Sequence, residues 1–133
     1  MELKWITREM ASAAYSRSMY DHGGAPGVRD EAALDCALAR PRELAAGGEQ
    51  DIFVLAACSA HGLINNRPFV DGNKRTTFLC TYVFLGINGI ELDADEAEAA
   101  AITLDLHTGL ASEEDLALWL RANSRNRLSA RPC

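Results

Sequence analysis

No stretch of this chain is apolar for long enough, and bare enough of charge, to cross a bilayer, which removes the membrane-spanning classes. The first residues, Met-Glu-Leu-Lys-Trp, lack the apolar core and cleavage site of a secretory signal, so a cytoplasmic protein without membrane contact is expected. Positive charge is scarce: 13 Lys and Arg stand against 19 Asp and Glu, a formal net charge of −6. Nucleic-acid affinity needs a basic surface, so no DNA binding by the chain itself is expected. A local cationic pocket stays compatible with that balance. The four cysteines include no Cys-x-x-Cys and no close His–Cys pair, which disfavours both a disulfide framework and a metal site. Cys36, Cys58 and Cys80 read as free thiols buried in helical runs, and Cys133 is the last residue. Internal repeats, low-complexity runs and dividing linkers are missing too.

What remains is 133 residues, 48% apolar, enough for one compact domain with a real core. A helix opens at Thr7 as N-cap and ends at His22-Gly23-Gly24. A second starts at Asp30, carries the stripe Ala33, Leu34, Ala37 and Leu38, and is expected to stop at Pro41, leaving 42–50 as a link. Asp51 caps a third, largely apolar helix. The run from Asn73 to about Asn88 is apolar nearly all the way round (Phe78, Leu79, Cys80, Tyr82, Val83, Phe84, Leu85, Ile87), so this helix is expected in the middle of the domain. Ile90-Glu91-Leu92 reads as an extended link. Asp93-x-x-Glu96 has capping-box spacing for a fifth helix to about His107, and Ser112-Glu113-Glu114-Asp115 opens a last one. The expected architecture is all-α: a single-domain bundle of about six helices, with one loop between two buried central helices.

That loop, Asn66-Arg67-Pro68-Phe69-Val70-Asp71-Gly72-Asn73-Lys74-Arg75-Thr76, carries the chemistry. Asp-Gly-Asn supplies turn geometry and an Asx cap to the helix behind it. Lys74 and Arg75 fall in that helix's first turn, the unfavourable end of the helix dipole for a cation. Free N–H groups beside two cations make an anion site, here read as one for nucleotide phosphates.

Arg67-Pro-Phe-Val-Asp-Gly-Asn-Lys-Arg75 resembles the signature of the Fic/Doc (Fido) family, His-Pro-Phe-x-Asp/Glu-Gly-Asn-Gly/Lys-Arg. Gly24-x-Pro-Gly-x-Arg-Asp30, Leu38-Ala-Arg-Pro41, the Asn88-Gly89 turn and the late Leu-Trp-Leu extend the resemblance over roughly residues 3 to 122, toward the Doc, or "death on curing", toxin branch. Lys74 in the slot where most members carry Gly points the same way. The resemblance implies a Fic/Doc-like domain over 1–123, followed by a polar tail over 124–133 expected to be disordered. It also implies ATP and Mg²⁺ as cofactors, phosphoryl transfer to a Thr or Ser hydroxyl of a translation factor such as elongation factor Tu, and inhibition by a Phd-type antitoxin. Asp71 would hold the magnesium; Gly72, Asn73, Lys74 and Arg75 would hold the phosphates, and Phe69 would turn inward to pin the loop. An AMP-transferase is the runner-up, and a non-catalytic module that binds nucleotide or antitoxin is the alternative of another class.

One position departs from the family. Its motif His takes the proton from the target hydroxyl, and Arg67 stands there instead. Guanidinium stays protonated and has no acceptor nitrogen, so Arg67 cannot be that base. Losing general-base help costs ~10²–10⁴-fold in rate, so impaired transfer with nucleotide binding retained is expected. Arg67 is either a silencing substitution or a mark of a member that only binds. His61, about 9 Å upstream along a helix at 1.5 Å per residue and on another face, is a poor substitute base. The plainer readings assign His22 and His107 to helix C-terminal dipoles, Asp93, Asp95, Glu96 and Glu98 to a solvated turn, and Trp5 and Trp119 to packing. The loop Gly23–Asp30 reads equally as a connection or as an edge where a target docks.

Overall fold

The structure, a computed structural model, describes residues 2–24 and 27–126. Six helices follow one another: α1 (Arg8–His22), α2 (Glu31–Ala46), α3 (Ile52–Asn66), α4 (Asn73–Ile87), α5 (Glu96–Thr108) and α6 (Glu113–Ala122). Short strands β1 (Ile90–Leu92) and β2 (Ser124–Asn126) pair antiparallel, with Ile90 opposite Asn126 and Leu92 opposite Ser124. The bundle is therefore all-α apart from one two-stranded ribbon.

The starts of the helices are written locally. The Thr7 hydroxyl accepts from Met10 N–H, Asp30 from Ala33 N–H and Asp51 from Phe53 N–H, each satisfying an amide that the helix cannot. Ser112 and Asp115 form a reciprocal capping box at α6.

The interior departs from the expectations in several places. The innermost helix is α3, not α4. Residues Leu55 to Ala60 of α3 form an unbroken buried run, whereas Tyr82 of α4 is exposed and Phe78, Leu79 and Val83 are only partly covered. Small side chains explain it: Ala56, Ala57, Cys58, Ser59, Ala60 and Gly62 let neighbours approach α3 from all sides, and a Cβ on Gly62 would already touch Ala37 at 3.4 Å. Pro41 does not stop α2; it lies inside the helix, buried, on the same face as Leu34 and Ala37. A proline there forfeits one helical hydrogen bond, and burial of its ring against the core outweighs the break. Residues 42–46 are accordingly helix, not link.

Helix α5 is capped by Asp95, which accepts from Ala97 N–H, in place of the expected Asp93. Asp93 N–H instead donates to Asn123 O at 2.8 Å, extending the β ladder and keeping that residue out of the helix. The same ladder converts Ser124–Asn126 from the start of an expected tail into strand. The rest of that tail, residues 127–133 with Cys133, lies outside the described residues. Cys36, expected to be buried, is exposed, while Cys58 and Cys80 are buried; all three thiols are free.

Candidate functional site

The motif loop leaves α3 through an unusual backbone. Arg67 has φ 46° and ψ 58°, and is the non-glycine residue at positive φ among the described residues. Left-handed geometry lets its N–H donate to Leu63 O at 3.1 Å while the chain reverses toward Pro68. Arg29 holds the reversal from outside: its Nε donates to Arg67 O at 2.7 Å and its Nη2 to Asn66 O at 2.6 Å. The side-chain amide of Asn66 donates in turn to Ala33 O, tying the end of α3 to α2.

The loop then runs alongside the segment that follows α1. Pro68 O accepts from both Arg29 N–H and Asp30 N–H, Val28 and Phe69 form an antiparallel bridge, and Val70 N–H donates to Gly27 O at 3.0 Å. Gly27 N–H donates to the Tyr15 hydroxyl at 2.6 Å, and the Tyr15 ring stacks on Phe69 at 4.4 Å with the planes 5° apart. Phe69 is only 2% exposed, the inward anchor expected of it. Residues 27–30 are thus more than a connection: they run along the motif loop as its second edge. Ala25 and Pro26 lie outside the described residues.

At the helix entrance Gly72 is the N-cap, with φ 74°, and provides no side-chain cap. The expected Asx cap does not form. Asp71 Oδ1 accepts only from Gly72 N–H, and Asn73 faces backward: its Oδ1 accepts from Phe69 N–H at 3.0 Å and its Nδ2 donates to Phe69 O at 2.9 Å. The first amides of α4 are left without a capping side chain, which is what an anion site at a helix N-terminus requires. Glycine is favoured at position 72 by its φ of 74°, a backbone region that side chains disfavour, and a Cβ there would also push aside the Met19 methyl, 2.5 Å away.

Arg67, Asp71, Gly72, Asn73, Lys74 and Arg75 all line one cleft of about 350 Å³, so the structure brings every sequence-predicted site residue together. Arg75 is anchored by donating from Nε to Ser18 Oγ and from Nη2 to Gly23 O, both at 3.2 Å. A second hollow of about 490 Å³ shares Lys74 and Arg75, and Phe78, Leu79, Ala99 and Ala100 give it apolar walls between α1, α4 and α5.

Away from the cleft, five of the described arginines are paired with carboxylates, while Lys4, Arg29 and Arg42 are not. Arg8 pairs with Glu31 and Asp35, Arg17 with Asp21, Arg40 with Glu113, Arg121 with Asp51, and Arg125 with Glu91. Arg67, Lys74 and Arg75 have no carboxylate partner among the described residues, and the acceptors of Arg75 are neutral. In a chain with an excess of acids, three cations against one carboxylate, Asp71, around a helix N-terminus make a candidate anion site.

No group of three His, Cys, Asp or Glu among the described residues could cage a metal ion. Asp71 alone is a hard carboxylate at the cleft, which suits magnesium, an ion that completes its shell with waters and phosphate oxygens. His61 is not near: it sits 3.3 Å from Glu113 with Asn65 beside it and does not line the cleft. Trp5 stacks on Phe84 at 5.8 Å, a packing role. Tyr15, Ser18 and Arg29 were given no site role in the sequence, and His107, read there as a helix-dipole partner in the last turn of α5, also lines the cleft. Arg29 stood in a block matching the family, whereas the others carry no local signal.

The sequence model of the Fic/DOC family matches residues 5–85. Toxin Doc of Mycolicibacterium smegmatis (strain ATCC 700084 / mc(2)155) is 41% identical over 75 residues, which span 55% of this chain and 58% of that relative's length. Protein kinase doc of Escherichia phage P1 is 28% identical over 120 residues, 90% of this chain and 94% of the phage protein.

Proposed function

The chain belongs to the Fic/DOC family, and on that premise we propose that it is a Doc-like toxin of a toxin–antitoxin pair whose motif cleft grips a nucleotide polyphosphate. The reaction it is built for is transfer of the terminal phosphoryl group of ATP to a Thr or Ser hydroxyl of a translation factor such as elongation factor Tu. One observation carries the reading: Arg67, Lys74 and Arg75 line one cleft at the uncapped start of α4, with Asp71 as its single carboxylate and no salt bridge to any of the three cations among the described residues.

Phosphoryl transfer asks a protein mainly for positioning and charge neutralisation. The guanidinium of Arg75, fixed by Ser18 and Gly23, offers paired donors to phosphate oxygens, and Lys74 adds a compact charge. Amides at the start of α4 point donors at the same anion. Asp71 would hold Mg²⁺, which would supply charge neutralisation to the phosphates. Asn73 works indirectly, fixing the loop through both backbone groups of Phe69. The larger hollow next door has the volume and apolar walls a nucleoside needs.

Arg67 lies at the rim of this cleft, in the place of the family's His, and cannot accept the hydroxyl proton. The chain therefore binds nucleotide and transfers at ~10²–10⁴-fold below a His-bearing counterpart. Arg67→His is expected to restore transfer and to arrest bacterial growth, with relief by a cognate Phd-type antitoxin. With ATP labelled at the γ position, the label should pass to the target protein. Label passing from the α position instead assigns the AMP-transferase reading. A folded Arg67→His protein that binds ATP yet transfers nothing and leaves growth unimpaired assigns the non-catalytic module.

A further inference from the structure

His107 lies in the last turn of α5, far along the chain from the motif, yet its side chain forms part of the wall of the motif cleft. Packing of α5 against α4 and α3 brings it there. The residue is exposed, and its ring makes no hydrogen bond or ion pair among the described residues, unlike His61, which engages Glu113 and Asn65. We infer that His107 is a ligand-contacting residue of this cleft, a further anion-binding group supplied by α5 to whatever dianion Arg67, Lys74 and Arg75 hold. This rests on the reading of the cleft as a phosphate cradle.

The charged groups sharing that wall are Arg67 from the end of α3, Asp71 from the loop, and Lys74 and Arg75 from α4. On α5 itself the nearest is Asp105, and the carbonyl end of the helix favours a cation in its last turn. A cationic imidazole presents two N–H donors and a charge, whereas a neutral one presents a single donor. A dianion gains more from the first form. Binding is therefore stronger to the protonated ring than to the neutral one, and by linkage the anion is taken up together with a proton. Replacing the ring by an uncharged amide makes the contribution of His107 separable.

Sulfate is the probe, because it stays a dianion throughout. Calorimetric titration of the full chain with sulfate is expected to show roughly fivefold tighter binding at about pH 5.5 than at about pH 7.5, the scale of one exposed charge pair. His107→Gln should bind like the native chain at the higher pH and lose the gain at the lower one. His107→Lys should bind tightly at both, and His61→Gln, changed outside both hollows, should keep the native profile. A native profile without pH dependence, or the same dependence in His107→Gln, overturns the inference and leaves the cradle standing. Absence of sulfate binding to the native chain at either pH overturns the cradle as well.

Discussion

Arg67 combines a special backbone with an unpaired charge, and the two effects can be measured apart. A branched or long side chain in the left-handed region costs ~1 kcal/mol or more relative to a residue that tolerates it, and Asn is among the tolerant ones. Arg67→Asn should therefore raise the stability to urea by about 1 kcal/mol, since it relieves the backbone and removes one of three crowded cations. An unchanged or lowered midpoint would show that the hydrogen bonds from Arg29 already absorb the strain. Asn73 offers a second test. Truncating it to Ala leaves the N–H and C=O of buried Phe69 without partners, which should cost ~2 kcal/mol or more before any ligand is considered. Weakened ATP binding with stability intact would instead mark Asn73 as a direct phosphate ligand. The residue types of the site were legible because a short loop places them in sequence. The direction of Asn73 was not, since an amide beside a glycine reads as a cap until the position of Phe69 is known.

Helix starts were legible for the same reason of short range: a hydroxyl or carboxylate two or three residues before an amide is a local event. Thr7, Asp30, Asp51 and Ser112 all act as read. Pro41 and Asp93 were misread because a distant partner decides them: the packed face of α2 in one case and Asn123 in the other. A three-residue strand such as Ser124–Asn126 likewise has no pattern of its own until β1 lies beside it. The capping box of α6 gives the element-scale prediction. Ser112→Ala should destabilise the fold by ~1 kcal/mol in thermal or urea unfolding. Hydrogen bonds from the Ser112 backbone and hydroxyl hold the Asp115 carboxyl below its usual range. A carboxyl depressed on folding stabilises above its unfolded pKa and ceases to do so as pH falls through its folded one. The gap in stability between the native chain and Asp115→Ala should accordingly be constant above about pH 5 and close at lower pH. A gap that persists unchanged into strong acid would mean that charge plays no part in the cap.

Two distributions matter at the largest scale: Arg67, Lys74 and Arg75, without a salt bridge among the described residues, share one cleft, and two of the described thiols are sealed in the core. Desolvation raises the Cys58 thiol and pushes Cys80 up to about 12, so neither offers a thiolate while the fold is closed. Cys36 stands exposed on α2. Alkylation of the native protein should therefore mark Cys36 promptly, and Cys58 and Cys80 only through openings of α3 and α4, the helices flanking the motif loop. Those openings destroy the cradle, so a ligand held by Lys74, Arg75 and the start of α4 must suppress them. At a hundred times its dissociation constant, a ligand bound only to the native state adds ~2.7 kcal/mol and slows labelling through such openings about a hundredfold. Mg²⁺–ATP should impose that protection on Cys58 and Cys80 while leaving Cys36 unchanged, as read by mass spectrometry of the alkylated peptides. Lys74→Ala should lower the protection, because one charge-assisted contact is lost and each such contact accounts for ~1.5 kcal/mol or more. Equal labelling of both core thiols with and without nucleotide, at concentrations where the phosphates should saturate the cleft, would mean that the cations around α4 serve another anion.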